Sequence, residues 1–410
     1  MRNHHIVGWV EKLDRRSSTL LIRERGVLRK VKLSKDAEVR GDLTDGGREV
    51  LVKVLAAGEN GSLTARYVEV LHTSGKVDEG SLNPSDPERF ARASWRALKL
   101  PKYQKVVAVQ HALLKYFREF LDSEGFTELL PPMISTASDP GLRGASKLRT
   151  KLYGVEYELT SSTIMFKQVA ATSLGKIYFV ARNVREEPPE HIVTGRHLVE
   201  FTQLDIEWAG ATMEDVMDLA ERMIEYACRR IVRNYGQIVK EFRRGGFSCW
   251  DLPLRRVPYT EALEIARSLG TYVEEGKELS QEAEEAVSLA IGRPFWVTHY
   301  PAGSRSFYYL PDASDPSRNK DFNLILPQGY GEVIDGGERE YRYERIVERL
   351  KALGEDLTKY RWFLEAVKEG IAPSAGFGLG IERFTRYLLG LKYVWEAVPF
   401  PKPPGVTHTP

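Results

Sequence analysis

Arg185 stands just ahead of a polar stretch in FVARNVREEPPEHIVTGRH, with Arg196 and His197 closing that stretch and Phe201 a little further on. If the two arms form a hairpin, an arginine, a histidine and an aromatic ring meet at one end. Arginine grips phosphate through paired hydrogen bonds, and an aromatic face stacks on a purine. A second group lies in GYGEVIDGGEREYRYE, where Glu332 ends a strand and Gly336-Gly337 precede Arg339. The glycines permit close backbone approach, the lone arginine suits a carboxylate, and Glu332 could hold Mg2+ on a nucleotide. In SAGFGLGIERF, Gly376, Gly378 and Gly380 alternate before Glu382-Arg383 open a helix. Such a strand can lie flat beneath a ligand, and the helix start aims Arg383 back toward it. Lys167 of LTSSTIMFKQ follows a strand end and falls in the first turns of a helix. The stretch TQLDIEW puts Gln203, Asp205 and Glu207 on one face of a strand and Thr202, Leu204, Ile206 and Trp208 on the other. Taken singly, each group also fits a charged hairpin, a tight turn or a solvated lysine. Their company gives them meaning.

The elements that must position these residues follow from periodicity and turn chemistry. Short strands at about 5–13, 18–24, 27–34, 49–56 and 61–71 are punctuated by Arg15-Arg16-Ser17-Ser18, Asp45-Gly46-Gly47 and Glu59-Asn60-Gly61. Five short strands in so few residues predict a small OB-type barrel. Residues 1–83 carry a net charge of +3. A polar, proline-containing linker follows, then an amphipathic helix at about 102–123. Beyond Gly125 the spacing predicts strands near 156–160, 177–183, 197–208, 295–299, 322–326 and 330–334. Helices are expected near 163–174, 213–234, 259–269, 341–353, 358–368 and 380–389. This irregular mixture predicts an α+β domain rather than regular βαβ winding.

Composition removes several classes. Cys228 and Cys249 are the only cysteines and form no CxxC pair, so neither a disulfide framework nor a zinc ribbon is expected. The glycine pattern is not GxGxxG, and no Rossmann unit precedes it. No basic-then-apolar leader and no apolar run of about 18 residues occur, which points to a cytoplasmic protein with no membrane partner. The overall charge of +2 names no partner.

In this order the segments resemble the class II aminoacyl-tRNA synthetases, closest to the aspartyl/asparaginyl subclass. GFTELLPPM at 125–133 is similar to motif 1, with Pro132 in the place of its proline. Arg185-Glu186-Glu187 through EFTQLDIE is similar to motif 2, and GFGLGIERF to motif 3, followed by a PFPKPPG tail. The resemblance implies an antiparallel sheet flanked by helices, with ATP bent on the sheet floor. It implies an OB-like domain at 1–83 of degenerate anticodon-binding type, a linker at 84–98 and a catalytic domain at 99–410. It places Arg185 on the α-phosphate, Arg383 on the γ-phosphate, Phe201 under adenine, and Arg196 and His197 near the phosphates. Glu187 falls with the catalytic arginines at the nucleotide, and Glu332 is the Mg2+ ligand. Lys167, Gln203, Asp205 and Arg339 fall at the amino acid. A homodimer through motif 1 is also implied.

Within the subclass, Lys167 with Asp205 favours aspartate, since a β-carboxylate facing Lys167 and Arg339 is charge-matched. The segments LTSSTIMFKQ, GYGEVIDGGERE and GATMEDVM resemble the related archaeal asparagine synthetases. Aspartyl-adenylate with ammonia as acceptor is therefore the first expectation. Aspartyl- or asparaginyl-tRNA formation is the alternative, and a non-catalytic paralogue the third reading. The barrel departs from the ammonia-using group. It also has few stacking aromatics: Trp9, read as core, and Tyr67. Arg15, Arg16, Arg23, Arg25, Arg29 and Lys30 remain as candidates for phosphate contact. Asn323 replaces an aspartate usual near the Glu332-type ligand, with Asp321 close by. Loop SDPGLRGASK lacks the usual Glu-Gly pair, leaving Gln203, then Asp139, for the substrate ammonium.

Overall fold

The computed structural model describes residues 2–24, 27–43, 48–59, 62–77, 79–141 and 144–410. The expected turns at Asp45-Gly46-Gly47 and Asn60-Gly61, the candidate Arg25, and Leu142-Arg143 of the 138–147 loop lie outside the described residues. Two compact units divide the chain, Met1–Lys105 and Val106–Pro410.

The first unit contains strands β1 Arg2–Asp14, β2 Thr19–Glu24, β3 Val27–Arg40, β4 Arg48–Glu59 and β5 Ser62–Gly75. They close into a barrel of order β1-β2-β3-β5-β4 in which only β3 and β5 pair in parallel. Alternation fills it: Val50, Val52 and Val54 of β4 point inward with Leu20, Ile22 and Val31. Trp9 departs from expectation. It is half-buried rather than in the core, with the Lys99 ammonium 4.3 Å from its ring centre. Arg23 is not free for phosphate either, because it is buried against Glu11 and the Lys99 carbonyl. The 84–98 segment contains two short helices, Pro87–Arg92 and Ser94–Ala97.

The second unit is built on an eight-stranded sheet of order β12-β13-β14-β15-β16-β11-β10-β6. In chain order these are β6 Thr127–Leu129, β10 Lys176–Val184, β11 Glu200–Ala209, β12 Arg255–Pro258, β13 Phe295–Thr298, β14 Asp321–Leu326, β15 Gly331–Glu338 and β16 Ser374–Gly380. Pairing is antiparallel except for β10–β6 and β12–β13. A small separate sheet holds β7 Ile134–Ser135, β8 Arg149–Leu152 and β9 Val155–Leu159.

Leu204 and Ile206 of β11 enter the main core, where they meet the helix Met213–Phe242 and the helix Ile381–Leu389. That first helix outruns the expected 213–234. It runs through Gly236, which costs about 1 kcal/mol against alanine, and buries Val239 one turn on. Thr212 and Asp215 form the capping box that starts it. The helix Gln281–Ile291 was not anticipated. Ser280 caps it and Gly292 ends it in a left-handed conformation.

Candidate active site

The site is laid on the pairing of β11 with β16. Gln203 lies opposite Gly380, Asp205 opposite Gly378 and Glu207 opposite Gly376. A Cβ at residue 376 would sit 2.1 Å from the Ile206 carbonyl oxygen and 2.2 Å from Glu207 Oε2. At residue 378 it would sit 2.7 Å from Asp205 Oδ1 and 2.9 Å from Gln203 Nε2. The alternating glycines therefore make room first for the acidic side chains of the next strand. This face of β11 is no wet surface: Asp205 is 3% and Glu207 0% exposed.

Over this floor the helix Ile164–Leu174 brings Lys167, buried among charges and carbonyls. Its Nζ lies 3.6 Å from Asp205 Oδ1 and 3.6 Å from Glu207 Oε2. It also donates to the Ile206 and Phe377 carbonyls at 3.4 Å. Burial pushes the Lys167 pKa down, the two acids oppose that, and Arg339 adds to it. Arg339 donates to Glu207 through Nε at 3.1 and 3.3 Å and through Nη2 at 3.3 Å. Burial works against the Arg339 charge, but Glu207 holds its pKa above the ordinary arginine value. Ser374 Oγ adds a 2.8 Å bond to Glu207, and Thr163 Oγ1 donates to Asp205 at 2.8 Å. Two cations and two carboxylates thus form a closed set. Lys167 thus has the expected Asp205 and also Glu207 within reach, and Arg339 has Glu207. Glu207, which periodicity placed beside Asp205 without a role, is the partner that sequence reasoning missed.

The other end is cationic and aromatic. The β10–β11 hairpin brings Arg185 to Phe201, guanidinium carbon 5.2 Å from the ring centre, while Arg185 Nε donates to the Ser161 carbonyl at 3.1 Å. Arg383, in the first turn of its helix, donates through Nη1 to the Glu332 carbonyl at 3.1 Å and to Glu332 Oε1 at 3.3 Å. Arg196 lines the cleft but is buried, and its Nη2 donates to Glu284 Oε2 at 3.0 Å. Burial, then Arg383 and Arg196, push the His197 pKa down to about 2, so this imidazole is neutral. Lys167, Arg185, Glu187, Arg196, His197, Phe201, Gln203, Asp205, Glu332, Arg339 and Arg383 all line one cleft that opens to solvent.

Asn323 is fixed with Oδ1 accepting from Arg305 Nη2 at 2.7 Å and Nδ2 donating to Glu332 Oε2 at 2.9 Å. Asp321 is fully buried and accepts from Arg305 Nε at 2.7 Å and from the Tyr300 backbone at 2.9 Å. Neither offers an oxygen to a second cation, because Arg305 holds both. No sequence signal foretold that arginine, which reaches β14 from an irregular segment. Asp139 also reaches the cleft, accepting from Tyr308 OH at 2.9 Å and Ser306 Oγ at 3.1 Å. Gln203 accepts from Asn183.

Residues 86–404 match the family model described as tRNA synthetases class II (D, K and N). An asparagine–tRNA ligase of Pyrococcus abyssi is 31% identical over 346 residues, 83% of this chain and 78% of that protein. An aspartate–tRNA(Asp/Asn) ligase of Archaeoglobus fulgidus is 33% identical over 320 residues, 74% of this chain and 69% of that protein. The crystal structure of asparaginyl-tRNA synthetase from Pyrococcus horikoshii complexed with asparaginyl-adenylate superposes with a TM-score of 0.84 at 27% identity. It covers 99% of this chain and 96% of that one, barrel included. These matches overturn the expectation of an ammonia-dependent asparagine synthetase, which rested on three short segments and treated the barrel as an exception. The chain belongs to the class II tRNA synthetase family of ATP-dependent ligases.

Proposed function

Proceeding from that membership, we propose that the protein activates asparagine with ATP and transfers the asparaginyl group to tRNA. The observation that carries this reading is the closed set of Lys167, Arg339, Asp205 and Glu207. With its charges balanced, the side-chain end of the cleft suits a neutral amide; a second carboxylate leaves one negative charge buried and unmatched. The relatives named asparagine–tRNA ligases support tRNA as the acceptor.

In this reading Phe201 carries the adenine and Glu187 contacts the nucleotide, while Gln203 and Asp139 face the substrate ammonium. Arg185 and Arg383 hold the α- and γ-phosphates. Their charges offset the negative charge that builds as the substrate carboxylate attacks the α-phosphorus, and the fixed geometry removes orientational entropy. His197, held neutral beside these phosphates, adds no further cation there. Glu332 is the protein carboxylate that would face one Mg2+ carried on ATP, sharing Oε1 with Arg383 and Oε2 with Asn323, while Asp321 is fully buried against Arg305. Such an ion would supply charge neutralisation at the phosphates.

Arg15, Arg16 and Lys30 are exposed on the barrel and suit contacts to the tRNA backbone. A homodimer through motif 1 is supported by exposed apolar side chains in that region, Leu130 at 92% and Met133 at 43%. Aspartate is the second reading, favoured by the buried Lys167 cation. ATP–pyrophosphate exchange with asparagine and with aspartate, followed by charging of tRNA, tests both. Exchange with neither amino acid, or an adenylate that does not acylate tRNA, overturns the proposal.

A further inference from the structure

The strand end after β10 turns into a 3-10 segment, Pro189–Thr194, before Gly195 takes a left-handed conformation and the chain returns as β11. This short detour brings three metal-ligating side chains together. Ligand atoms of Glu187, His191 and His197 all lie within 4.8 Å of one another. His191 Nδ1 is 2.8 Å from Glu187 Oε2, and the two imidazole rings are 4.8 Å apart, centre to centre. The Glu187 side chain is 9% exposed and that of His191 31%, so the group is reachable from the cleft without being a loose surface cluster.

Hydrogen bonds prepare the second imidazole. Thr194 Oγ1 donates its single hydrogen to the His191 carbonyl at 2.8 Å. Toward His197 Nδ1, also at 2.8 Å, the same oxygen can only accept. The ring hydrogen of neutral His197 is therefore on Nδ1, and Nε2 keeps its lone pair. A ring nitrogen bonded to a fixed acceptor while the other is left bare is how metal-binding histidines are oriented. Between His191 and Glu187 a single proton occupies the contact that a cation could take instead.

We propose that Glu187, His191 and His197 form a binding site for a divalent transition-metal ion of the zinc class. Two imidazoles and a carboxylate are the donors this class prefers, at about 2.0–2.2 Å, and hard Mg2+ does not favour imidazole. Ligand atoms around a tetrahedral ion at those bond lengths stand roughly 3.4 Å apart, so the widest separation closes by up to about 1.4 Å on binding while the 2.8 Å His191–Glu187 contact opens by about 0.6 Å. Three protein ligands leave a fourth position open toward the cleft. An ion there ties the Pro189–Thr194 segment to both of its flanks.

The test is titration of the full chain with Co2+, without ATP, followed by visible absorption; Zn2+ is then added as competitor. The expected result is one equivalent of Co2+ with the intense bands of a low-coordinate site, displaced by Zn2+. His191→Gln should bind at least tenfold more weakly while melting, metal-free, at the parent temperature. Absence of the bands in the parent chain overturns the proposal. So does equal binding by His191→Gln, which would place the ion elsewhere. Because the readout needs no substrate, it stands or falls apart from the aminoacylation assay.

Discussion

Glu207→Gln isolates the charge that closes the amino-acid end of the cleft. The substitution keeps the shape and a hydrogen bond to Ser374 but removes the carboxylate that Arg339 and Lys167 share. Lys167 and Arg339 are then left with Asp205 alone, a net charge of +1. A β-carboxylate roughly 6–8 Å from that excess charge gains about 2–3 kcal/mol at an effective dielectric of about 20. At about 1.4 kcal/mol per decade, kcat/KM for aspartate over asparagine in ATP–pyrophosphate exchange should rise roughly 30- to 150-fold. Stability should fall by up to about 3–5 kcal/mol, the usual cost of opening a buried pair, and less where the glutamine bonds persist. Lys167→Met perturbs the same balance in the opposite sense and should disfavour aspartate further. A folded Glu207→Gln protein with an unchanged ratio would refute the claim that charge balance selects the substrate.

Two further outcomes follow from the geometry. Gly376→Ala drives a Cβ to 2.1 Å from a backbone oxygen, whereas Gly378→Ala meets only side-chain atoms, at 2.7 and 2.9 Å. Urea unfolding should show Gly376→Ala as the more damaging, by about 3 kcal/mol or more from overpacking; the reverse order would contradict the strand register. The His197 pKa is held down to about 2 in the folded protein. Its contribution is therefore complete above the unfolded value near 6.5 and is lost as pH falls from there toward 2, by about 1.4 kcal/mol per unit. Between pH 7.5 and 5.5 the parent should lose about 1.4 kcal/mol more than His197→Gln, read from urea midpoints; parallel losses would show that the ring titrates normally.

Local pattern made much of this molecule readable. Strict alternation in TQLDIEW announced a two-faced strand, and the motif residues converge on one cleft. What alternation cannot say is what each face meets. Glu207 looked like Asp205 in sequence, and only the helix Ile164–Leu174 and the end of β15 reveal its two cations. Arg305 left no trace because its partners Asp321 and Asn323 lie on a strand reached through an irregular segment, and irregular segments carry no period. The amino-acid reading weighed Lys167, Arg339 and Asp205, while the second acid, Glu207, shows its two cations only across the sheet. The helix runs on past the expected 234 to Phe242, where Val239 is buried in the core.

The pairing of bare glycines with long acids along β11 and β16 makes the cleft floor hard to remodel stepwise. Lengthening residue 376 collides with the neighbouring backbone, while shortening residue 207 strands Arg339 beside a void. Shortening residue 207 would clear its own side chain but not the Ile206 carbonyl, so neither change rescues the other and both positions are expected to stay fixed. Residue 167 hangs from a helix rather than from the floor and is free of that constraint. A lineage altering its choice between the acid and the amide has its least obstructed path there.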